Sequence, residues 1–201
     1  MTLTIIIITV LVSLIAFSNE ELFNRLKFNA WMIYERKQSW RFVSYALLHS
    51  GWAHLLINMF VLYSFGKVVE SAFVLWFGGP KGLMYYFLLY LGGVLFANIY
   101  DYGRNKENPY YNAVGASGAV AAVLFAAILI VPNSTLIIFP IPIPLPAWLF
   151  GILYLIYSIY MGRRGTDNIG HFAHFSGAVF GLIFTLILRP ELTDIFIRMF
   201  Q

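Results

Sequence analysis

The sequence predicts an all-α membrane protein, a bundle of six transmembrane helices with an interfacial first loop. Composition is the first observation behind this prediction: of 201 residues, 60% are hydrophobic and only 11% are charged, whereas a typical soluble domain carries about 25% charged residues. The mean hydropathy is +0.76. So few charges cannot cover the surface of a soluble domain, which excludes a soluble enzyme. The net charge of +4 comes from scattered basic residues, so no nucleic-acid partner is expected.

Apolar runs locate the six helices. A helix needs about 20 mainly apolar residues to cross the hydrocarbon core of a bilayer, and six runs approach this length within one predicted domain, residues 1–201. They are Leu3–Phe17, Trp52–Val69, Gly82–Tyr100, Ser117–Val131, Pro146–Met161 and Ile169–Leu188. The first run lacks the basic start and the small-residue cleavage site of a signal peptide, so we interpret it as a retained span.

The connection Ser18–Ser50 mixes charged residues with aromatic and aliphatic ones. This mixture is typical of short helices lying in the headgroup region of a membrane. Two interpretations remain open: a connector seated on the membrane surface, or an element that binds substrate.

The fourth run is short and has irregular neighbours. The polar, glycine-containing stretch Asn108–Ala116 precedes it, and a predicted proline-rich loop from Pro132 to Pro146 follows it. Irregular backbone at membrane depth is tolerated only beside protein or a water-filled cavity. The sequence around Ser117 is therefore the first candidate for a functional site.

The basic residues bear on orientation. If the N-terminus is cytoplasmic, the cytoplasmic segments hold four of the 13 basic residues and the opposite side holds nine. The positive-inside rule then favours an external N-terminus.

All four histidines lie near span ends, in the pairs His49 with His54 and His171 with His174. Ionisable groups within spans indicate function by default. Asn58 follows His54 by four residues, so the two side chains share one helical face.

Small residues indicate which helices pack together. His174, Gly177 and Gly181 form an i, i+3, i+7 stripe on the sixth span, and the fourth span begins with the small residues of Gly115–Ala119. Small faces let two helices approach closely. This packing predicts that Ser117 and His174 come within hydrogen-bond reach.

A serine beside a histidine has a chemical use. The imidazole takes the hydroxyl proton, which makes the oxygen a nucleophile, and later returns a proton to the leaving amine. The oxyanion that develops needs positioned donors, and the Ser117 backbone N–H with the side chains of His54 and Asn58 are the candidates. No carboxylate lies close to His174 in sequence, and Asp167 belongs to a loop. We therefore predict a Ser–His dyad.

Each of these residues also has a structural interpretation. Gly-x-Ser-Gly occurs in helix packing, and His54 with Asn58 is equally an interhelical hydrogen-bonding pair. His171 is interpreted as a structural or entrance residue, and His49 as a brace for the loop. Paired histidines also suit a zinc or haem site, although the chain has no His-Glu-x-x-His and no cysteine. A transporter is a further alternative.

The motifs resemble those of the rhomboid family of intramembrane serine proteases. The resemblance covers about Trp40 to Leu188. Its motifs are Trp40-Arg41, His49 followed by His54-Leu-Leu-Ile-Asn58, Gly115-Ala116-Ser117-Gly118, and Ala173-His174-Phe175-Ser176-Gly177 with Gly181 beyond. The number of spans is similar to the minimal six-span bacterial type.

The resemblance implies Ser117 as nucleophile and His174 as general base and acid. His54, Asn58 and the Ser117 N–H would be the oxyanion donors, with His49, Gly115, Gly118 and Gly177 in supporting roles. The fifth span and the Met161–Asn168 loop would form a gate and a cap. No cofactor and no metal are implied.

The resemblance also implies surroundings. The N-terminus would be cytosolic and the site would open to the outer face of a bacterial cell membrane, against the charge count. Partners would be the lipid bilayer and transmembrane protein substrates, cut near small residues. An inactive rhomboid-like binding protein is a further alternative.

One position departs from the family pattern. Many relatives have an aromatic residue one turn after the nucleophile, beneath the imidazole, and this chain has Ala121. Phe125 and Phe175 are the rings that the sequence offers instead.

Overall fold

The protein is mainly helical. The structure, a computed structural model, describes residues 1–138, 141–165, 167 and 169–198. Eleven helices lie in these residues: α1 (Thr2–Phe17), α2 (Glu20–Leu26), α3 (Ala30–Arg36), α4 (Arg41–Ser44), α5 (Trp52–Phe77), α6 (Gly79–Ala97), α7 (Ile99–Asn105), α8 (Ser117–Ile130), α9 (Ala147–Arg164), α10 (His171–Leu188) and α11 (Leu192–Arg198). A 3-10 turn, Tyr45–Leu47, follows α4, and one antiparallel pair joins β1 (Thr135–Ile138) to β2 (Ile141–Pro146).

Each of the six predicted apolar runs overlaps a helix, and the third, Gly82–Tyr100, extends from α6 into the start of α7. Within the described residues, three stretches are long and apolar enough to cross a membrane: α5, the consecutive helices α6 and α7, and α10. Helices α1 and α8 are apolar but shorter. Helix α9 contains three tyrosines and ends in Arg163 and Arg164, which makes it the least apolar of the six.

Two predicted boundaries are wrong. Helix α5 runs eight residues beyond the predicted end at Val69, to Phe77, because Glu70 interrupts the apolar run without interrupting the helix. Helix α9 continues past Met161 to Arg164 and ends at Gly165 in the left-handed region, so the first part of the predicted Met161–Asn168 loop is helical. Thr166 and Asn168 of that loop lie outside the described residues.

The predicted proline-rich loop after α8 is a β-hairpin. Strands β1 and β2 pair in antiparallel register, with Thr135 opposite Pro146 and Ile137 opposite Pro144. Isoleucine favours extended backbone, and proline is tolerated at the edge of a sheet. Alternating isoleucine and proline therefore form a strand where proline content alone indicated a loop.

The first loop contains the short helices predicted for it. Asn19 and Asn29 begin α2 and α3, because their side chains accept hydrogen bonds from the N–H groups of Leu22 and Met32. Asparagine is among the preferred N-cap residues.

Arg41, one of the nine basic residues on the loop side, is 4% exposed. Its guanidinium donates to the carbonyl oxygens of Asn24 at 3.0 Å and Lys27 at 2.6 Å, and burial lowers its pKa. Part of the charge in this loop therefore holds the loop's own backbone together.

Helix α8 lies at the centre of the bundle and packs against α5, α6 and α10. Its residues from Gly118 to Leu129 are buried. Small side chains permit this central position: a Cβ at Gly93 of α6 would lie 2.9 Å from the Cα of Ala119. At 14 residues, α8 is about 21 Å long, shorter than a bilayer core of about 30 Å.

Candidate active site

The first turn of α8 is a helix end without a side-chain cap. Ala116 occupies the N-cap position and makes no side-chain hydrogen bond, whereas serine, threonine, aspartate or asparagine is usual there. The first intrahelical bond runs from the Val120 N–H to the Ala116 carbonyl oxygen at 2.9 Å. The N–H groups of Ser117, Gly118 and Ala119 therefore have no acceptor within the helix, and the positive end of the helix dipole is directed at the same place.

The segment that leads into Ser117 is pinned to the first loop. Phe28 and Ala113 exchange two backbone hydrogen bonds, of 3.0 and 3.1 Å, and the Gly115 N–H donates to the Tyr45 carbonyl oxygen at 3.1 Å. Gly115 has φ +119°, and a Cβ there would lie 2.6 Å from Cε1 of His54. Only glycine fits this backbone and leaves room for the imidazole.

His54 is oriented by the residue at the end of the first loop. The Ser50 N–H donates to Nδ1 of His54 at 3.4 Å, and the Ser50 hydroxyl lies 3.0 Å from the same atom. Because a backbone N–H can only donate, Nδ1 is the acceptor and the proton of the neutral ring is on Nε2. A Cβ on Gly115 would lie 2.8 Å from Nε2, so this donor is next to the segment that leads into Ser117.

Asn58 shares its helical face with His54, as the sequence predicts. The Asn58 side-chain amide donates to the His54 carbonyl oxygen at 3.0 Å, and Asn58 is buried. This bond uses one of the two N–H groups of the amide.

His49 is buried beneath His54, with the ring centroids 4.9 Å apart. The Ser13 hydroxyl of α1 donates to the Leu47 carbonyl oxygen at 2.8 Å and lies 3.0 Å from Nδ1 of His49. The hydroxyl proton is used by Leu47, so Nδ1 of His49 donates to Ser13. Burial and, to a lesser extent, His54 lower the pKa of His49 to about 3. A neutral His49 therefore braces the loop between α1 and α5.

Helices α8 and α10 touch through their backbones, as the small-residue stripes predict. A Cβ on Gly177 would overlap the Gly118 carbonyl group, and a Cβ on Gly118 would lie 3.2 Å from the Ala173 carbonyl oxygen. Ser117 and His174 therefore flank a direct backbone contact. Among the described residues, no hydrogen bond joins their side chains.

The ring that lies over His174 comes from α9. Tyr154 stacks on the imidazole with centroids 6.4 Å apart and an angle of 29° between the planes. Phe125 of α8, one of the rings that the sequence offers for this place, packs on Tyr154 instead, at 5.5 Å. Ala121 is buried in the cluster around Phe125.

The carboxylate nearest in sequence to the histidines of α10, that of Asp167, contacts His171. Both Asp167 oxygens lie 3.1 Å from Nε2 of His171, and this hydrogen bond lowers the pKa of Asp167. His174 makes no hydrogen bond to a carboxylate in the described part of the chain. No group of three or more His, Asp or Glu residues there has the spacing of a metal site.

Sequence reasoning missed three residues that position the histidines: Ser13, Ser50 and Tyr154. Ser13 had a weak signal, as a polar residue in the apolar first run. Ser50 and Tyr154 had none, because a serine in a loop and a tyrosine in a span are both common.

Comparison with known proteins places the chain in a family. A family model described as "Rhomboid domain" matches residues 36–191. The chain is similar to Rhomboid-related protein 1 of Caenorhabditis elegans, with 32% identity over 168 residues, which are 79% of this chain and 42% of that protein. It is also similar to RHOMBOID-like protein 12, mitochondrial, of Arabidopsis thaliana, with 31% identity over 153 residues, 70% of this chain and 44% of that protein.

A second Arabidopsis thaliana protein, Rhomboid-like protein 11, chloroplastic, is 32% identical over 172 residues, which are 78% of this chain and 55% of that protein. The chain thus matches about half the length of these relatives. The family model covers most of this chain, including all the residues from His49 to His174 described above. The chain belongs to the rhomboid family.

Proposed function

We propose that the protein is an intramembrane serine endopeptidase with six membrane spans. One observation carries the proposal: Ser117 begins an uncapped helix at the point where α8 presses against α10 next to His174. A buried helix end with free N–H groups and a hydroxyl beside an imidazole suits acyl transfer. The same arrangement favours a transporter or a metal site less, because the described residues include no group of three metal-ligating side chains.

In the proposed reaction, Ser117 Oγ attacks the carbonyl carbon of the scissile peptide bond while His174 takes the hydroxyl proton. The tetrahedral intermediate collapses when His174 gives that proton to the leaving nitrogen, which breaks the C–N bond and leaves an ester on Ser117. Water then attacks the ester with His174 again as base, which releases the acid and restores the serine. Without a carboxylate on His174, the dyad relies on packing to orient the ring.

The oxyanion would be held by three kinds of donor. The Ser117 N–H belongs to the uncapped first turn of α8, Nε2–H of His54 follows from the Ser50 contacts, and Asn58 has one N–H left after bonding the His54 carbonyl. Such donors strengthen as charge develops in the transition state, and removing one costs about 2.7–4 kcal/mol in a well-studied serine protease.

The substrate would be a transmembrane or membrane-adjacent protein segment. We propose that α9 acts as the gate, because it is the least apolar of the six predicted spans and carries Tyr154 next to His174. A segment entering between α9 and the bundle would meet His174 and Ser117 first. Small residues and a helix that unwinds easily would let its backbone reach the serine.

For location, we propose a multi-pass protein of a bacterial cell membrane with a cytosolic N-terminus and the site toward the outer face. The motif set supports this orientation. The excess of basic residues on the outer side argues against it. Arg41 weakens the evidence from this excess, because its guanidinium donates hydrogen bonds to backbone carbonyl groups of the loop.

The test is labelling with a fluorophosphonate in liposomes, together with cleavage of a model transmembrane substrate. Wild-type protein should be labelled and active, and Ser117→Ala and His174→Ala should lose both properties without a change in helical content. Ser64→Ala is the matched control, because Ser64 is half-buried on α5 and its hydroxyl donates to its own helix, at the Phe60 carbonyl oxygen.

The outcomes separate the alternatives. Undiminished cleavage by Ser117→Ala would overturn the mechanism. Stoichiometric zinc or iron that is lost on His54 or His174 substitution would favour metal binding, and solute uptake retained by Ser117→Ala would favour a transporter. A folded wild type with neither labelling nor cleavage would favour an inactive binding protein.

A further inference from the structure

The hairpin between α8 and α9 is uncharged and exposes aliphatic side chains. From Asn108 to Gly162 the sequence has no Asp, Glu, Lys or Arg, and both strands lie inside this stretch. Ile137 of β1 is 69% exposed and Ile143 of β2 is 58% exposed. Exposed edge strands in water normally carry charges that prevent association with other strands. Neither strand of this hairpin has one.

Both faces of the hairpin are apolar. Side chains alternate between the two faces of a strand, so Ile143 shares a face with Leu145, and Ile137 lies on the opposite face together with Pro144. Leu136 packs against the cluster around Phe125. One end of the hairpin is thus fixed to the bundle while an isoleucine projects on either side.

The register identifies the backbone groups at the outer edge of β2. The Ala147 N–H donates to the Ser134 carbonyl oxygen at 2.8 Å, so the pair immediately beyond the strands is hydrogen-bonded. Pairs in an antiparallel ladder alternate between hydrogen-bonded and non-hydrogen-bonded. Counting from that pair, Pro146 and Pro144 occupy non-hydrogen-bonded positions, where the N–H of another residue would face away from β1.

Proline has no N–H, so this outer edge presents carbonyl oxygens and no donor at the two positions. Burial of an unpaired backbone group away from water costs several kcal/mol. At positions 144 and 146 this cost does not arise for an N–H group, because proline has none. The prolines also prevent a further strand from pairing with this edge, which argues against a second copy of the chain as its partner.

The apolar surface of the hairpin continues along the bundle. Strand β2 leads directly into α9, where Ile152 and Ile156 are exposed. In a membrane protein these side chains contact lipid. The hairpin extends this lipid-contacting surface beyond the end of α8.

We propose that β1 and β2 lie in the interfacial layer of the bilayer, with Ile137 and Ile143 among the lipid chains and the free carbonyl groups toward headgroups and water. The connection from α8 to α9 is then a membrane-inserted element and not an aqueous loop. This inference is independent of the proposed proteolysis, since it uses no residue of the candidate active site.

The absence of cysteine from the chain makes the test direct. Single variants Ile143→Cys and Ile137→Cys are spin-labelled in the full-length protein and reconstituted in palmitoyl-oleoyl phosphatidylcholine and phosphatidylglycerol vesicles. Collisions with oxygen, which concentrates in lipid, are compared with collisions with a water-soluble nickel chelate. Phe60→Cys on α5, where the side chain is 71% exposed, is the lipid reference, and Tyr110→Cys, 88% exposed in a polar connection, is the aqueous reference.

Labels at Ile143 and Ile137 should relax more with oxygen than with the nickel chelate, as at Phe60. A preference for the chelate, as at Tyr110, would overturn the proposal. Spin–spin broadening that disappears on dilution with unlabelled protein would also overturn it, because the hairpin would then pair with another copy. The two positions lie on different strands, so a folding defect in one variant leaves the other to decide.

Discussion

The Tyr154 ring of α9 lies over the His174 imidazole of α10, with centroids 6.4 Å apart and the planes inclined by 29°. Phe125 of α8 packs on Tyr154 at 5.5 Å, so three helices meet at this one tyrosine. His174 thus has an aromatic neighbour from α9, although position 121, where the resemblance leads to the expectation of an aromatic residue, is alanine. The Tyr154 ring also attaches the proposed base to the proposed gate.

Loss of this ring should impair catalysis more than folding. Tyr154→Leu keeps apolar volume but removes the stacking surface, and aromatic pairs contribute about 0.5–1.5 kcal/mol beyond their buried area. We expect kcat on a model transmembrane substrate to fall by about five- to tenfold. Tyr154→Phe should retain activity, because the ring and not the hydroxyl makes the contact.

The matched control is Tyr160→Leu, on the same helix and 51% exposed. It should leave kcat unchanged. Equal losses in both leucine variants, or a loss in Tyr154→Phe as large as in Tyr154→Leu, would contradict the role of the ring.

Gly115 should not tolerate a side chain. In Gly115→Ala the Cβ would meet the His54 ring, and φ +119° is strained for alanine. Such strain costs about 1–3 kcal/mol, so we expect a lower thermal midpoint and loss of fluorophosphonate labelling. Gly103→Ala is the control: a Cβ there has nothing within 4 Å and φ is not positive. Normal labelling of Gly115→Ala would show that His54 does not need this space.

Ser50 should act through the tautomer of His54. Ser50→Ala removes the hydroxyl 3.0 Å from Nδ1 and leaves only the 3.4 Å backbone contact. With a hydrogen bond contributing about 1 kcal/mol, we expect kcat to fall about fivefold with KM unchanged, since the oxyanion exists only after attack. A change in KM alone would instead assign Ser50 to substrate binding. Ser64→Ala again serves as the control.

Acid should destabilise the protein through His49. Burial and His54 hold the folded-state pKa near 3, below the ordinary 6.5, so below about pH 6.5 the unfolded chain takes up a proton that the folded protein refuses. Stability is then complete above pH 6.5 and falls by up to about 1.4 kcal/mol per pH unit between pH 6.5 and 3. His49→Asn keeps a donor for Ser13 and removes the titration.

Unfolding in mixed detergent at about pH 7.5 and pH 5 measures the effect. Between these values the wild type should lose about 2 kcal/mol more than His49→Asn, because roughly 1.5 units lie below the ordinary pKa. Equal losses would mean that His49 is protonated in the folded protein or that it is not buried.

Helix positions were predictable because crossing a membrane requires long apolar runs, and such runs leave few alternatives. The ends of the helices were less predictable. Helix α5 continues through Glu70, whose carboxylate accepts a hydrogen bond from the Thr2 N–H at 2.9 Å. Because this carboxylate has a partner on another helix, the helix that carries it continues through the position. That partner lies 68 positions away, beyond the range of any local pattern.

The hairpin and the ring over His174 could not be predicted for a related reason. Proline in a loop and proline at a strand edge look alike in sequence, and only the register against β1 separates them. Tyr154 reaches His174 because α9 packs on α10 with one particular rotation about its own axis. The spacing of residues within α9 does not predict this rotation. By contrast, the stripe of Gly177 and Gly181 predicted the contact with α8, because it is visible within one helix.

The backbone hydrogen bonds of Ala113 and Gly115 to the first loop determine how the protein would fail under stress. The proposed nucleophile, Ser117, begins the buried helix α8, but the chain that enters this helix is hydrogen-bonded to a loop built of short helices. Segments with few regular hydrogen bonds open at lower free energy than a packed core. Heat should therefore abolish the proposed activity by loosening residues about 70 to 90 positions upstream of Ser117, while the longer helices still give an intact circular dichroism spectrum.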